Sequence, residues 1–229
     1  MEFKSQFSGG TTVITIAQDN NAWIAADSRE TLFSNTIQQH KVVKKIIVGN
    51  SLVYSCGGRY MKYGGDHLLG KYDLVQELKN HIEKYPSIDE ALDNFDLFAR
   101  NKLRQVASYL KEHLIAYYLP QTMFSYRIIE LVHGEIGYYY SDFKLKTKGW
   151  MEIHIHQHNV IPEFDCLGYC NIACKEWESA KSNKQHTMAE KLQHLIRLEA
   201  NKNPIWVAEP IDVIHISADC IKWLTPPRS

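Results

Sequence analysis

The chain has no excess of either charge: 26 lysines and arginines stand against 26 aspartates and glutamates in 229 residues. Such a balance gives no field to draw in nucleic acid or an anionic membrane surface, so neither is an expected partner. No apolar run approaches the roughly 20 residues that a membrane-crossing helix needs. The opening residues 1–10 are polar, end in Gly9-Gly10 and lack an apolar core, which excludes a secretory signal. Cysteines number five, an odd count in a mid-sized chain. They read as reduced thiols in the cytoplasm, not as a disulfide framework. No internal repeat or linker calls for a second domain, and 45% hydrophobic content suffices for one full core.

What is present is a succession of clear element signals. Residues 12–16 and 22–26 read as short buried strands joined at Gln18-Asp19-Asn20-Asn21, a run of turn formers. Residues 45–48 and 52–56 repeat the pattern around Gly49-Asn50. A helix is expected over residues 61–84, weakened by Gly64, Gly65 and Gly70. Ser87-Ile88-Asp89-Glu90 is a capping box, and Ala91, Leu92, Phe95, Ala99 and Leu103 follow it at helical spacing. Strands return over 124–132 and 136–141, turning at His133-Gly134-Glu135. A strand at 164–167 leads to a helix over 169–181, and a second capping box, Thr187 to Glu190, opens another helix. Residues 211–216 and 221–224 close the chain as strands. The order alone implies an α+β protein.

Three short stretches carry chemistry: Gly10-Thr11-Thr12-Val13, Ala25-Ala26-Asp27-Ser28-Arg29 and Val42-Val43-Lys44-Lys45-Ile46. A threonine hydroxyl is a weak nucleophile and needs a base. If the chain is cut before Thr11, the freed α-amine, with a reference pKa of roughly 7.7–8.0, can take that proton. A nearby ammonium would lower the hydroxyl's pKa, and a carboxylate would hold that ammonium in place and charged.

Together these stretches resemble the proteasome β-subunit family of N-terminal-nucleophile (Ntn) hydrolases, including the proteolytic subunit of the bacterial ATP-dependent ring protease. In that family the threonine follows a glycine and an acid lies sixteen positions on, the separation of Thr11 and Asp27. The family lysine falls in the segment reproduced at residues 42–46, after an insertion in residues 31–41. Lys45 is the residue carried over, with Lys44 one position away as the alternative. The resemblance implies a four-layer αββα sandwich over residues 11–229, with residues 1–10 as a propeptide or N-terminal tail. It assigns Thr11, Asp27 and Lys45 to catalysis and Gly57 and Thr31 to the oxyanion and substrate backbone, with Ser55 a candidate for specificity. Arg59, directly after the glycine pair, is a second candidate and reads equally well as a surface arginine capping a helix start. It further implies autoprocessing at Gly10-Thr11, a polypeptide or small-amide substrate, a ring or stacked homo-oligomer and an ATPase partner. No cofactor or metal is expected.

Departures from the family fall in the residues that support the amine. A serine in a Gly-Ser-Gly turn corresponds to Tyr169 in Gly168-Tyr169-Cys170. An Asp-x-x-Ser-Gly segment corresponds to Ile205-Trp206-Val207-Ala208-Glu209, so the acid is Ile205 and the serine Ala208. A slip of this alignment would offer Glu199, Glu209 or Asp212 as the acid. These losses support an inactive proteasome-like scaffold as one alternative; a small-amide Ntn amidase outside any ring is the other.

Other constellations have blander readings. His154, His156 and His158 alternate as on an exposed strand face. Cys166, Cys170 and Cys174 are spaced unlike a zinc site and read as small packing residues. The Tyr138-Tyr139-Tyr140 run reads as a strand with cross-strand partners.

Overall fold

The computed structural model describes residues 5–9, 11–33, 38–58, 60–63, 73–112, 122–145, 151–158 and 162–225. In chain order the first strands are β1 (Ser5–Gly9), β2 (Thr12–Gln18) and β3 (Asn21–Ala26). Next come β4 (Arg29–Phe33), β5 (Gln38–Val42), β6 (Ile46–Val48), β7 (Leu52–Gly58) and β8 (Tyr60–Tyr63). Helices α1 (Leu74–Lys84) and α2 (Ile88–Glu112) precede β9 (Thr122–Val132), β10 (Glu135–Leu145), β11 (Met151–His158) and β12 (Phe164–Gly168). Helices α3 (Asn171–Ser182) and α4 (Met188–Lys202) lead to β13 (Asp212–Ser217) and β14 (Ile221–Trp223).

The strands form three sheets, ordered β12-β2-β3-β13-β14, β11-β10-β9-β7-β6 and β5-β4-β1-β8. Their tight turns follow from local chemistry. Asp19 and Asn20 both adopt positive φ, 51° and 57°, as do His133 and Gly134, 52° and 81°. Two successive left-handed residues are what a two-residue hairpin needs to match the twist of its strands. These turns set the registers of β2 on β3 and β9 on β10.

Three apolar clusters define four layers. Leu74, Leu78, Leu92, Phe95 and Leu103 of α1 and α2 pack on Tyr54, Phe124, Tyr126, Ile128 and Phe143, the outer face of one sheet. Trp177, Leu192, Leu195 and Ile196 of α3 and α4 pack on Ile14, Ile16, Ala25 and Val213, the outer face of the other. Between the sheets, Val13, Ile24, Ile46, Val53, Ile129, Tyr138, Leu167 and Ile214 form the central core. The result is an αββα sandwich. A buried guanidinium braces it: Arg127 on β9 bonds Asp142 of β10 at 2.9 Å and Asp165 of β12 in the facing sheet. Tyr138 donates to the same Asp165. The tyrosine run thus lies on β10, with Arg127 over the Tyr140 ring, 5.2 Å from its centroid.

The capping box at Thr187 forms as expected, its hydroxyl accepting from Glu190 N while Glu190 accepts from Thr187 N. The helix expected over 61–84 is corrected. Residues 60–63 are strand β8, and α1 starts only at Leu74, where Asp73 caps Val75 N and Gln76 N. Here the edge offered by β1 determines the local structure and helical periodicity does not. The sheet β5-β4-β1-β8 carried no sequence expectation.

Asp96 on α2 is buried beneath the helix and accepts from Tyr126 OH at 3.1 Å. Burial raises its pKa from 3.8 to about 7, against the opposing pull of Tyr126 and Arg100. Its folded-state pKa lies above the unfolded one, so the fold binds this proton more tightly. Stability from this residue is complete below about pH 4 and lost as pH rises to about 7. Asp96→Asn is therefore expected to stabilise the protein at pH 8 by up to about 3 kcal/mol, and not at pH 4. Denaturant melts at both pH values check it; equal midpoint shifts at pH 4 and 8 would refute it.

Candidate active site

Pairing of β2 with β3 sets Val13 opposite Ala26, which brings the residues at the strand ends, Thr11, Thr12 and Asp27, side by side. Asp27 N donates to Thr12 O at 3.2 Å, and Thr12 N donates back to Asp27 Oδ1 at 2.7 Å. The carboxylate is fully buried and collects five donors. Oδ1 accepts from Thr12 N, from Lys45 Nζ at 2.8 Å and from Thr11 Oγ1 at 3.3 Å. Oδ2 accepts from Arg29 N at 2.9 Å and from Ala208 N at 3.4 Å.

Lys45 precedes β6, and its side chain is 8% exposed. Burial holds its pKa below the ordinary lysine value, although the Asp27 carboxylate pulls upward. Lys44 points elsewhere, its ammonium 4.4 Å from the centroid of the Trp223 ring. Of the two lysines left open by the sequence, Lys45 is thus the one at Asp27. Ser55, expected as a specificity residue, spends its hydroxyl on Lys45 O at 3.0 Å and so fixes the lysine's backbone. Arg59 lies outside the described residues.

Gly57 of β7 faces Thr11 across the gap between the sheets. A Cβ there would fall 2.6 Å from Thr11 Cγ2 and 1.9 Å from Leu167 Cδ1, so only glycine allows this approach. Thr31 is buried on β4, with its hydroxyl donated to Ile205 O at 2.6 Å and 3.1 Å from His40 Nδ1.

Both segments that depart from the family pattern lie at this site. Tyr169 N donates to Thr11 O at 2.8 Å, and Tyr169 O accepts from Thr12 Oγ1 at 2.6 Å. The Tyr169 ring stacks on Trp206 with centroids 5.8 Å apart. Ala208 supplies backbone where the family has a serine: its N–H reaches Asp27, and its carbonyl accepts from Ser28 N at 3.2 Å. Ile205 contributes its carbonyl to Thr31 and is 48% exposed. Of the alternative acids, Glu199 is buried and caps α3 through Ile172 N and Ala173 N, and Glu209 pairs with Arg197 on the surface. Asp212 is buried on β13 opposite Ala26.

Sequence reasoning missed the contribution of Gly168. Its φ is +87°, and a Cβ would lie 2.0 Å from Thr11 O. Gly168→Ala would combine a left-handed alanine with a collision against backbone. The expected loss is about 2–3 kcal/mol of stability, measured by denaturant melting, together with displacement of Thr11. A neutral Gly168→Ala would show that this turn can shift freely.

The cysteine expectation is corrected here. Cys166 and Cys170 form a disulfide, while Cys56, Cys174 and Cys220 are free. The pair does not share a helix: Cys166 lies within β12 and Cys170 is the N-cap residue of α3, with their Cα atoms 6.1 Å apart. Among the described residues no three His, Cys, Asp or Glu side chains cluster as a metal site. The side chains of His154, His156 and His158 on β11 lie outside them. Nor is any described helix long and apolar enough to cross a membrane.

No family model and no curated protein matches the sequence. Among solved structures, the chain is similar to BPH of Thiobacillus denitrificans in complex with epoxomicin. The identity is 13%, the match covers 90% of this chain and 98% of that one, and the TM-score is 0.53. It is also similar to eukaryotic HslV from Trypanosoma brucei at 11% identity, covering 90% and 99% of the two chains, with a TM-score of 0.47. The chain has a proteasome β-subunit-like fold.

Proposed function

We propose that this chain is an Ntn hydrolase of the threonine type, cleaving peptide or amide bonds after its own cleavage at Gly10-Thr11. The observation that carries the reading is the shared oxygen of Asp27. Thr11 Oγ1 and Lys45 Nζ both reach Oδ1, which gathers hydroxyl, ammonium and carboxylate in one buried site.

Maturation begins with attack of Thr11 Oγ1 on the carbonyl of residue 10, passing the acyl group from nitrogen to oxygen. That shift breaks the carbon–nitrogen bond and frees the Thr11 amine, and water then hydrolyses the ester, releasing residues 1–10 as a carboxylic acid and restoring the Thr11 hydroxyl. In the mature chain that amine takes the hydroxyl proton as Oγ1 attacks a substrate carbonyl. Lys45 stabilises the developing charge, Asp27 orients Lys45, and the Gly57 N–H serves the oxyanion. Strand β1 supports self-cleavage. It lies antiparallel to both β4 and β8 with Gly9 opposite Thr31, so Ser5–Gly9 is held extended along the strand assigned to substrate backbone. Under this reading residues 1–10 are a propeptide to one domain of residues 11–229. The chain assembles with copies of itself in a ring or stack in the cytoplasm, where an ATPase partner feeds it polypeptide, and it needs no cofactor.

A second reading, a scaffold that kept the fold without the chemistry, draws on Tyr169, Ile205 and Ala208 and on the same β1. A strand between two others is well placed to be retained. Intact mass and N-terminal sequencing of the assembled protein separate the two. A chain starting at Thr11 is expected; one that keeps residues 1–10 after prolonged incubation would give the scaffold the lead.

A further inference from the structure

We infer that the Cys166–Cys170 disulfide is a redox latch on the nucleophile's wall, opened by a cellular dithiol. Its effect on Thr11 rests on the hydrolase reading; the latch itself does not.

The bond brackets Leu167-Gly168-Tyr169, and each of the three touches the start of β2 or its neighbour. Leu167 Cδ1 fills the space in front of Gly57, and the Gly168 Cα sits against Thr11 O. Tyr169 exchanges hydrogen bonds with Thr11 and Thr12. Through its stacking on Trp206, Tyr169 also adjoins the segment whose Ala208 N–H reaches Asp27. A change in this turn therefore reaches both Thr11 and the carboxylate.

The bond is poorly suited to a global structural role. Stabilisation by a cross-link grows with the loop it closes, and this one joins residues only four apart. What it constrains is the local turn. The chemistry of opening is also asymmetric. Cys166 is partly exposed, whereas Cys170 is buried at the N-cap of the twelve-residue helix α3. A reductant thiolate attacks the partly exposed Cys166 Sγ, the Cys166–Cys170 bond breaks, and its electron pair leaves on Cys170 Sγ. The reductant's second thiol then attacks the mixed disulfide and frees Cys166. The dithiol departs as its own disulfide, and its two protons end on the two cysteines.

The test uses the full chain purified without reductant, alkylated under denaturing conditions and weighed intact. Amide exchange is measured on parallel samples with and without dithiothreitol. The oxidised chain is expected to take up three alkyl groups, on Cys56, Cys174 and Cys220, and the reduced chain five. On reduction the Tyr169 amide, bonded to Thr11 O, is expected to exchange at least about tenfold faster, while Ile14 and Ile24 in the sheet keep their rates. A Cys166→Ser/Cys170→Ser variant should show the fast rate in both conditions. Five alkyl groups without reductant, or one Tyr169 exchange rate in both states, would overturn the latch. Chains beginning at Thr11 are scored in the same samples. Formation at different rates in the two states supports coupling of the latch to Thr11, and equal rates overturn that coupling. Their absence from both states counts against the hydrolase reading, while the exchange comparison still decides the latch.

Discussion

Thr11→Ala is expected to leave residues 1–10 attached and to reduce turnover of peptide or amide substrates by on the order of 10⁴-fold or more, the scale of losing a nucleophile. The fold should survive. Thr11 is 4% exposed, and alanine removes one methyl and one hydroxyl whose bond to Asp27 Oδ1 is long, 3.3 Å. A stability loss of about 1–2 kcal/mol covers both terms. Activity and stability should therefore separate, which distinguishes a reacting group from a packing one. Thr11→Ser supplies the control, since it keeps the oxygen and should still be processed, more slowly. Two measurements are needed: the N-terminal sequence after prolonged incubation, and hydrolysis of a fluorogenic peptide amide. A Thr11→Ala protein that still turned over substrate would sink the mechanism outright.

The parts of the site that could be read from sequence are those where one side chain has one job. The spacing from Thr11 to Asp27 survives into the structure because the β2–β3 hairpin, pinned by Asp19 and Asn20, fixes which residues end side by side. The segment from Ile205 to Glu209 could be located because the strand after it, β13, has an unambiguous apolar pattern. What stayed hidden is made of backbone. The cradle around Asp27 uses the N–H groups of Thr12, Arg29 and Ala208, and any residue but proline supplies one. The sheet containing β1, β4, β5 and β8 was hidden for a related reason. Ser5–Gly9 has neither alternation nor β-branched residues, and it becomes a strand because neighbours on both sides supply ladder partners. The cysteines failed because spacing in sequence says little when a strand ends and the chain turns toward a helix between them.

Lys45→Ala is expected to have two effects that a double variant can pull apart. The pair it breaks is nearly dry, with Lys45 8% and Asp27 0% exposed. Removing the ammonium strands a buried carboxylate, at about 3–5 kcal/mol of folding stability. If Lys45 also stabilises charge at the reacting centre, the barrier rises by on the order of 3–4 kcal/mol. Loss of activity alone would not tell these apart, because a destabilised enzyme is also a poor one. Combining Lys45→Met with Asp27→Asn removes both charges and should recover part of the stability, since no charge is left buried without a partner, while the amide NH2 cannot accept from the backbone N–H groups that meet one carboxylate oxygen. Activity should stay low in the double variant. Recovery of both would make the pair merely structural. The pH profile gives an independent check. Burial lowers the folded-state pKa of Lys45 below its ordinary 10.5. Its contribution to stability therefore rises as pH climbs through the folded value toward 10.5, while turnover that needs the ammonium falls over the same window. The wild-type profile should show an alkaline limb below 10.5, and the double variant should lack it. A limb that persists without Lys45 would assign that titration to another group and leave Lys45 with a purely positional part.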